Sequence, residues 1–317
     1  MNDERDALRE AVRGLLGEYP VRAAADGLWA RLCKEIGVAG LAIPERYGGA
    51  GATLLETHVV LEELGRVLSP APMLSCVPAG QALLHADDED ARARLLPEIC
   101  AGERVATLTF GFADHVLDAE TADVFLVVAN GELWEVDDPA IVEEESLDLT
   151  RRLGTMRLDG TSARSLGTVP EAYLRSVACV ALSAEQVGAA GRALELTLEY
   201  VKTRHQFGQA IGSFQVLQHR LAEAWVRVEA ARSASLTAAE ALTAGAGDAH
   251  RLASVAKVTC SETLQAVAAE MVQMHGGLAI TWEHDAHLYL RRAYDSARLF
   301  GTPAQHVRGL AEAAGLA

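Results

Sequence analysis

A mainly α fold with a small β module in its middle is what this sequence specifies, on three observations. Half of the residues are hydrophobic and only 5% are aromatic, and an Ala/Leu/Val/Glu-rich mixture of that kind favours helices over a large sheet. Long stretches at both ends repeat apolar residues at the three/four spacing of one helical face. Between residues 104 and 170 the texture turns to short runs rich in Val, Leu and Phe. The expected division is an N-terminal helical domain over 1–103, a shortened β domain over 104–170 and a C-terminal four-helix bundle over 171–317. A chain of 317 residues has room for two or three domains of roughly 100–200 residues each.

Taken in order, Asp6 to Gly17 and Leu28 to Ile36 are amphipathic and each is closed by a glycine. The Gly48-Gly-Ala-Gly51 segment is a loop, Leu54 to Leu68 is a further helix, and Pro70 and Pro72 stop it. The glycine-rich loop follows no strand of a βαβ unit, so it reads as a structural turn rather than a dinucleotide fingerprint. Arg104 to Phe110 has strand character, and Asp123 to Ala129 is a buried-strand run. Asn130-Gly131 then joins that run to Glu132–Val136, a strong hairpin signal. Thr155 to Leu158 adds a strand, and the β domain ends near Thr168–Pro170. The remaining helices are expected over 175–203, 214–244, 249–275, 284–299 and 303–314, with short joints that fit an antiparallel bundle. Leu264, Val267, Met271 and Met274 give the third of these a core-facing seam. Gly276-Gly277 is expected to cap that helix in the left-handed conformation. Thr302 and Pro303 read as N-cap and first helical residue of the last helix.

The net charge of −16 argues against a nucleic-acid surface, which needs a basic face. Cys33, Cys76, Cys100, Cys179 and Cys260 are far apart with no Cys-x-x-Cys pair, as expected for thiols in a reduced cytosol. The charged start Met1-Asn-Asp-Glu-Arg lacks a signal-peptide core. No run approaches the ~20 apolar residues that cross a bilayer. A soluble cytoplasmic protein without a membrane partner is the expectation.

The most informative stretch lies between the first two helices of the bundle, from Tyr200 to His219. Lys202 and Arg204 fall at the end of one helix, where cations are favoured. Gly208 and Gly212 break it, and Ser213 stands where an N-cap belongs before the face Leu217, Leu221, Ala224, Val228 and Ala231. The connection carries Arg204, Gln206, Phe207 and Gln215 out of a rigid pair. An Arg fork beside a helix start makes a phosphate cradle. On these residues alone, an ordinary interhelical turn with an exposed Arg fits as well.

The order Arg204-x-Gln-Phe-Gly, x-x-Ile-x-x-Phe-Gln, Gln-His resembles the flavin-binding turn of the acyl-CoA dehydrogenase family. Gln273-Met-His-Gly-Gly277 is similar to that family's other FAD-contacting segment. Leu41-Ala-Ile-Pro-Glu-Arg-Tyr-Gly-Gly-Ala-Gly51 and Glu62-Glu-Leu-Gly-Arg66 look like its N-terminal helical domain. The resemblance implies FAD as cofactor, gripped across a subunit boundary. Arg204 and Gln206 would face the pyrophosphate, Phe207 the adenosine, with Gln215 and Gln273 as further amides. Gly276 and Gly277 would offer close backbone approach.

The chain also departs from the family pattern. The middle domain is shorter, and Thr107-Leu-Thr-Phe-Gly-Phe112 stands where a Thr-Glu-Pro-Gly-x-Gly-Ser-like loop is expected. The family's catalytic Glu occupies one of two places, and here Phe300 and Ala178 stand at them. Among other acids, Glu185 lies two turns beyond Ala178, and Glu283 and Asp285 sit near His284 and His287 in a cluster that looks weakly metal-like. Cys179 as a nucleophile would need a positioned base. No catalytic residue is assigned on the sequence. The resemblance therefore implies a non-catalytic subunit of a heteromeric (α2β2) acyl-CoA dehydrogenase, completing the FAD site of a catalytic partner that binds most of the acyl-CoA. The rivals are a same-fold flavin oxidase or monooxygenase acting as a homo-oligomer, and a non-enzymatic helical scaffold.

Overall fold

The structure, a computed structural model, describes residues 2–22, 25–111 and 115–316. The N-terminal helices are α1 (Asn2–Leu16), α2 (Leu28–Arg31), α3 (Leu54–Arg66), α4 (Met73–His85) and α5 (Glu89–Cys100). A π turn extends α2 through Ile36, and Gly37 stops it in the left-handed conformation at φ 77°. A capping box starts α3: Leu55 N donates to Thr53 Oγ1 at 3.1 Å and Thr53 N to Glu56 Oε2 at 2.9 Å, satisfying donors that a helix start leaves open. The helix ends at Arg66, two residues before the expected Leu68, which turns out of it at φ 49°. Gly49 packs so tightly that a Cβ there would overlap the Ile43 carbonyl, so the glycine-rich loop is a packing turn.

Seven short strands follow: β1 (Ala106–Phe110), β2 (Val116–Leu117), β3 (Val124–Ala129), β4 (Glu132–Val136), β5 (Ala140–Glu143), β6 (Leu153–Arg157) and β7 (Ala163–Thr168). They form two sheets, ordered β1-β3-β4-β7 and β2-β6-β5, with β1 parallel to β3. Asn130 at φ 54° and Gly131 at φ 77° close the β3–β4 hairpin, the paired positive angles of a type I′ turn. Leu108, Leu126, Val128 and Leu133 pack on Leu83, Leu95, Leu96 and Ile99 of α4 and α5. The other face meets the second sheet through Val116, Val127, Val136 and Met156. The strands β2 and β5 carry no sequence signal: one has two residues, and the other is largely exposed.

The C-terminal part is α6 (Glu171–Thr203), the hairpin β8 (His205–Gln206) and β9 (Gln209–Ala210), α7 (Gln215–Thr243), α8 (Ala249–His275), α9 (Ala286–Ser296) and α10 (Pro303–Ala313). Leu264, Val267, Met271 and Met274 are all buried in the core that α8 shares with Leu194 and Val201 of α6 and Leu221 and Val228 of α7. The shorter α9 completes the four-helix set. Crossing α6 is α3, at a point where both helices are glycine. A Cβ on Gly65 would overlap the Glu185 carbonyl, and one on Gly188 the Glu62 carbonyl.

Two local expectations are corrected. Ser213 does not cap α7; it lies in a 3₁₀ turn over Ile211–Ser213 and its Oγ donates to Ala210 O at 2.7 Å. Phe214 takes the cap position without a side-chain bond, because the 3₁₀ turn places Ser213 one residue ahead of it. Gly276 adopts φ 59° but ψ −138°, so the chain leaves α8 extended and enters a 3₁₀ turn rather than a left-handed cap. Thr302 does cap α10, reciprocally with Gln305, and Pro303 is the first helical residue.

Candidate cofactor-binding site

The end of α6 sets the geometry. Arg204 N donates to Tyr200 O at 2.9 Å and Arg204 O accepts from Ile211 N at 2.8 Å, so the backbone of Arg204 is held at both ends. Between them the β8–β9 hairpin turns at Phe207 (φ 53°) and Gly208 (φ 81°). A phenylalanine in that region costs ~1–2 kcal/mol, and it leaves the ring 91% exposed. Its one aromatic neighbour is Phe214, edge-on at 6.2 Å. The Arg204 side chain is exposed and has no hydrogen bond or ion pair among the described residues. Gln206 Nε2 donates only to the adjacent His205 O, at 2.9 Å.

Gln206, Phe207, Phe214, Arg220, Gln273 and Met274 line an open groove of about 350 Å³. The structure thus brings Gln206, Phe207 and Gln273 together; Arg204 stands beside them at the helix end. Gln215 opens α7, exposed and outside the groove lining. Gly276 and Gly277 are exposed, and a Cβ on either would meet nothing, so their backbone is open to approach. Arg220 is spent on Glu270 at 2.7 Å, whereas Arg204, exposed and without a partner among the described residues, is open to an incoming anion. A free guanidinium, a bare aromatic face and two amides suit a pyrophosphate joined to a flat base.

One supporting residue was not foreseen. His275 stacks on Tyr200 at 4.2 Å and bonds Met271 O through Nδ1 at 2.7 Å, tying the end of α8, with Gln273, to the end of α6, with Arg204. Burial pushes the His275 pKa down, which disfavours a charged imidazolium in the stack. Its only sequence signal was its place inside Gln273–Gly277.

No acid stands at either base position. Ala178 is fully buried in α6. Phe300 turns at φ 56° and meets Phe110, at the end of β1, edge-on with ring centres 6.5 Å apart. Arg175 lies over the Phe110 ring at 4.5 Å. Of the segment Thr107–Phe112, Phe112 lies outside the described residues. Cys179 is not an activated nucleophile. Burial pushes its thiol up to about 11. His306 Nε2, 3.9 Å from the sulfur, bonds Phe300 O at 3.0 Å, so that nitrogen carries its proton and cannot accept another.

Glu185 is also removed as a base. It is buried and ion-paired to both Arg151 and Arg292, where α6, α9 and the 146–152 loop meet. Arg292 reaches Asp148 as well and donates to Thr150 Oγ1 at 2.7 Å. Asp285 is bound to Arg22, His284 Nδ1 accepts from Ala286 N at 3.1 Å, and His287 packs edge-on to Trp282 at 4.8 Å. Each member of the metal-like cluster is thus engaged separately, and Glu283 is exposed.

Beside Glu185 sits a buried acid that the sequence did not single out. Asp118 Oδ2 bonds Ser75 Oγ at 2.6 Å, while that hydroxyl also bonds Pro72 O at 2.8 Å. A hydroxyl has one proton, so both bonds form together only when Asp118 supplies its own. Burial pushes Asp118 up to about 6 from an ordinary 3.8. A raised value means stability present at low pH and lost as pH rises through 6. Asp118→Asn is therefore expected to stabilise the fold at pH 8, by up to about 3 kcal/mol. The gain should narrow through pH 6 and close near pH 4, which thermal unfolding across that range would check.

The sequence profile of the acyl-CoA dehydrogenase N-terminal domain matches residues 2–103, and that of the C-terminal domain residues 177–314. Acyl-CoA dehydrogenase IpdE2 of Mycobacterium tuberculosis is 39% identical over 97% of this chain and 96% of its own length. Acyl-CoA dehydrogenase FadE34 of the same organism is 30% identical over 97% of this chain, which spans 47% of that protein. Among solved structures, the Tcur3481-Tcur3483 steroid ACAD superposes with TM-score 0.90 at 27% identity, over 99% of this chain and 98% of the other. The ChsE4-ChsE5 complex from Mycobacterium tuberculosis gives 0.85 at 22% identity over 99% and 97%, a likeness of fold.

Proposed function

The chain belongs to the acyl-CoA dehydrogenase family, and from that premise we propose that it is the subunit that completes a partner's FAD site and contributes no base of its own. The observation that carries the reading is the Phe110–Phe300 contact. The segment that stands in place of the family's Thr-Glu-Pro-Gly-x-Gly-Ser-like loop touches the segment at one of the two base positions, and the side chain at that position is a hydrocarbon. A carboxylate general base is worth ~10²–10⁴-fold, and this chain supplies none at Phe300 or Ala178. Its nucleotide-gripping turn, by contrast, keeps an unpartnered Arg204.

FAD, when bound, supplies the hydride acceptor for forming the Cα–Cβ double bond. This chain's residues hold the cofactor's other end. Arg204 and Gln206 donate hydrogen bonds to pyrophosphate oxygens, Phe207 packs along the adenosine, and Gln273 adds an amide. Gly276 and Gly277 let backbone approach, and Gln215 contributes from the start of α7. The half-open groove, with Phe207 91% exposed, leaves its second wall to another subunit. Acyl-CoA is held mainly by that subunit, which also carries the catalytic carboxylate. The Tcur3481-Tcur3483 relative is named for two components and for a steroid, which supports a two-component assembly and a steroid-derived thioester; the α2β2 stoichiometry is part of the proposal. Division of the chain near residues 103 and 170 follows the same reading. The test is co-expression with an adjacent dehydrogenase-like gene product. Co-purification, flavin and acyl-CoA dehydrogenation should rise together. A yellow, active homo-oligomer without a partner would establish the oxidase-like alternative instead.

A further inference from the structure

We propose that the cleft between α2, the 149–152 loop and the segment leading into α9 binds a small organic anion: a carboxylate or phosphate carried on a flat apolar body. The cleft has a volume of about 420 Å³, and its lining among the described residues includes Arg22, Arg151 and Arg152 but no Asp or Glu. Arg22 and Arg151 are paired with Asp285 and Glu185 behind the lining, so Arg152 is the charge of this cleft that an anion meets uncompensated, on a chain of net charge −16.

The three guanidiniums differ in what they have left to give. Arg22 is anchored to the Trp282 and His284 carbonyls and to Asp285, so it fixes the rim. Arg152 is exposed and its side chain has no partner among the described residues. Arg151 has a side chain only 6% exposed and pairs with Glu185, yet its Nη1 is buried without an acceptor. Buried donors are seldom left unpaired. A deeper nook of about 20 Å³, lined also by Asp118 and Glu185, shares Ser69, Pro70, Thr150 and Arg151 with the cleft, enough for about one water between the Arg151 donor and the head group of a ligand, which itself stays in the outer cleft. The body of the ligand has an apolar floor in Leu28, Leu68 and Leu288. Trp282, 65% exposed, offers a flat face on which a ring can lie. No lining residue is shared with the groove beside Arg204, so the two sites are separate.

Calorimetric titration of the full-length chain with naphthoate, and with the neutral naphthalenemethanol, tests the assignment. Naphthoate should bind, and the alcohol should bind at least about tenfold more weakly, the effect of one charge-assisted hydrogen bond. Arg152→Ala should weaken naphthoate by a similar factor, and Trp282→Ala should weaken both probes. Arg204→Ala, which belongs to the cofactor turn, should leave naphthoate binding unchanged. Absence of naphthoate binding, equal binding of the alcohol, or equal affinity in Arg152→Ala would each overturn the proposal.

Discussion

Arg204→Ala is expected to weaken FAD binding by the assembled protein by about 10- to 150-fold, the equivalent of ~1.5–3 kcal/mol for a hydrogen bond to a charged group. The expectation is large because the guanidinium has no other employment: it is exposed and without a partner among the described residues. For the same reason the substitution should leave the melting temperature of the chain unchanged. Flavin retention after gel filtration and a thermal melt, run on the same sample, separate the two effects. Arg204→Lys should recover only part of the affinity, since an ammonium cannot make the paired contacts of a planar fork. If Arg204→Ala kept flavin like the native protein, the turn would be an ordinary interhelical connection.

Gly188→Ala is expected to be strongly destabilising. Its Cβ would overlap the Glu62 carbonyl, and the reciprocal contact places Gly65 against the Glu185 carbonyl. Overpacking commonly costs ~1–3 kcal/mol. Here the obstacle is backbone on both sides, so relief requires α3 and α6 to separate. That movement would also disturb Arg66, which holds Glu195 of α6 through two bonds of 2.9 and 2.7 Å. A loss above ~3 kcal/mol is expected, or at least about 4–5 °C in melting temperature for a chain of 317 residues. Gly309→Ala, on α10, where a new Cβ meets nothing, is the matched control and should change little.

These sites differ in how far the sequence disclosed them. The long helices were legible because a 3.6-residue period survives any tertiary arrangement, and Thr302-Pro303 and Asn130-Gly131 carry their own local geometry. The Arg204–Gly208 turn was legible as a motif. Its useful property, a guanidinium with nothing to hold, became visible only once every neighbour had a position. Ser213 misled because its hydroxyl donates to Ala210 O within the 3₁₀ turn instead of accepting from a backbone N–H at the start of α7. Gly65 stood in a recognisable motif, but its reason for being glycine lies across the interface at Glu185, in another helix. Glu185 looked like a spare acid because its partners are remote: Arg151 is 34 residues away and Arg292 is 107. Asp118 gave no signal at all, since its character comes from burial and from one hydroxyl shared with Pro72 O.

The claim on which the functional reading depends is that this chain grips the cofactor but cannot abstract the substrate proton. The most direct measurement is anaerobic mixing of the isolated chain, reconstituted with excess FAD, with an acyl-CoA thioester while the visible flavin absorbance is followed. No bleaching is expected from the isolated chain, and rapid bleaching once the catalytic partner is added. Bleaching by the chain alone, at a rate that the partner does not increase, would contradict the account.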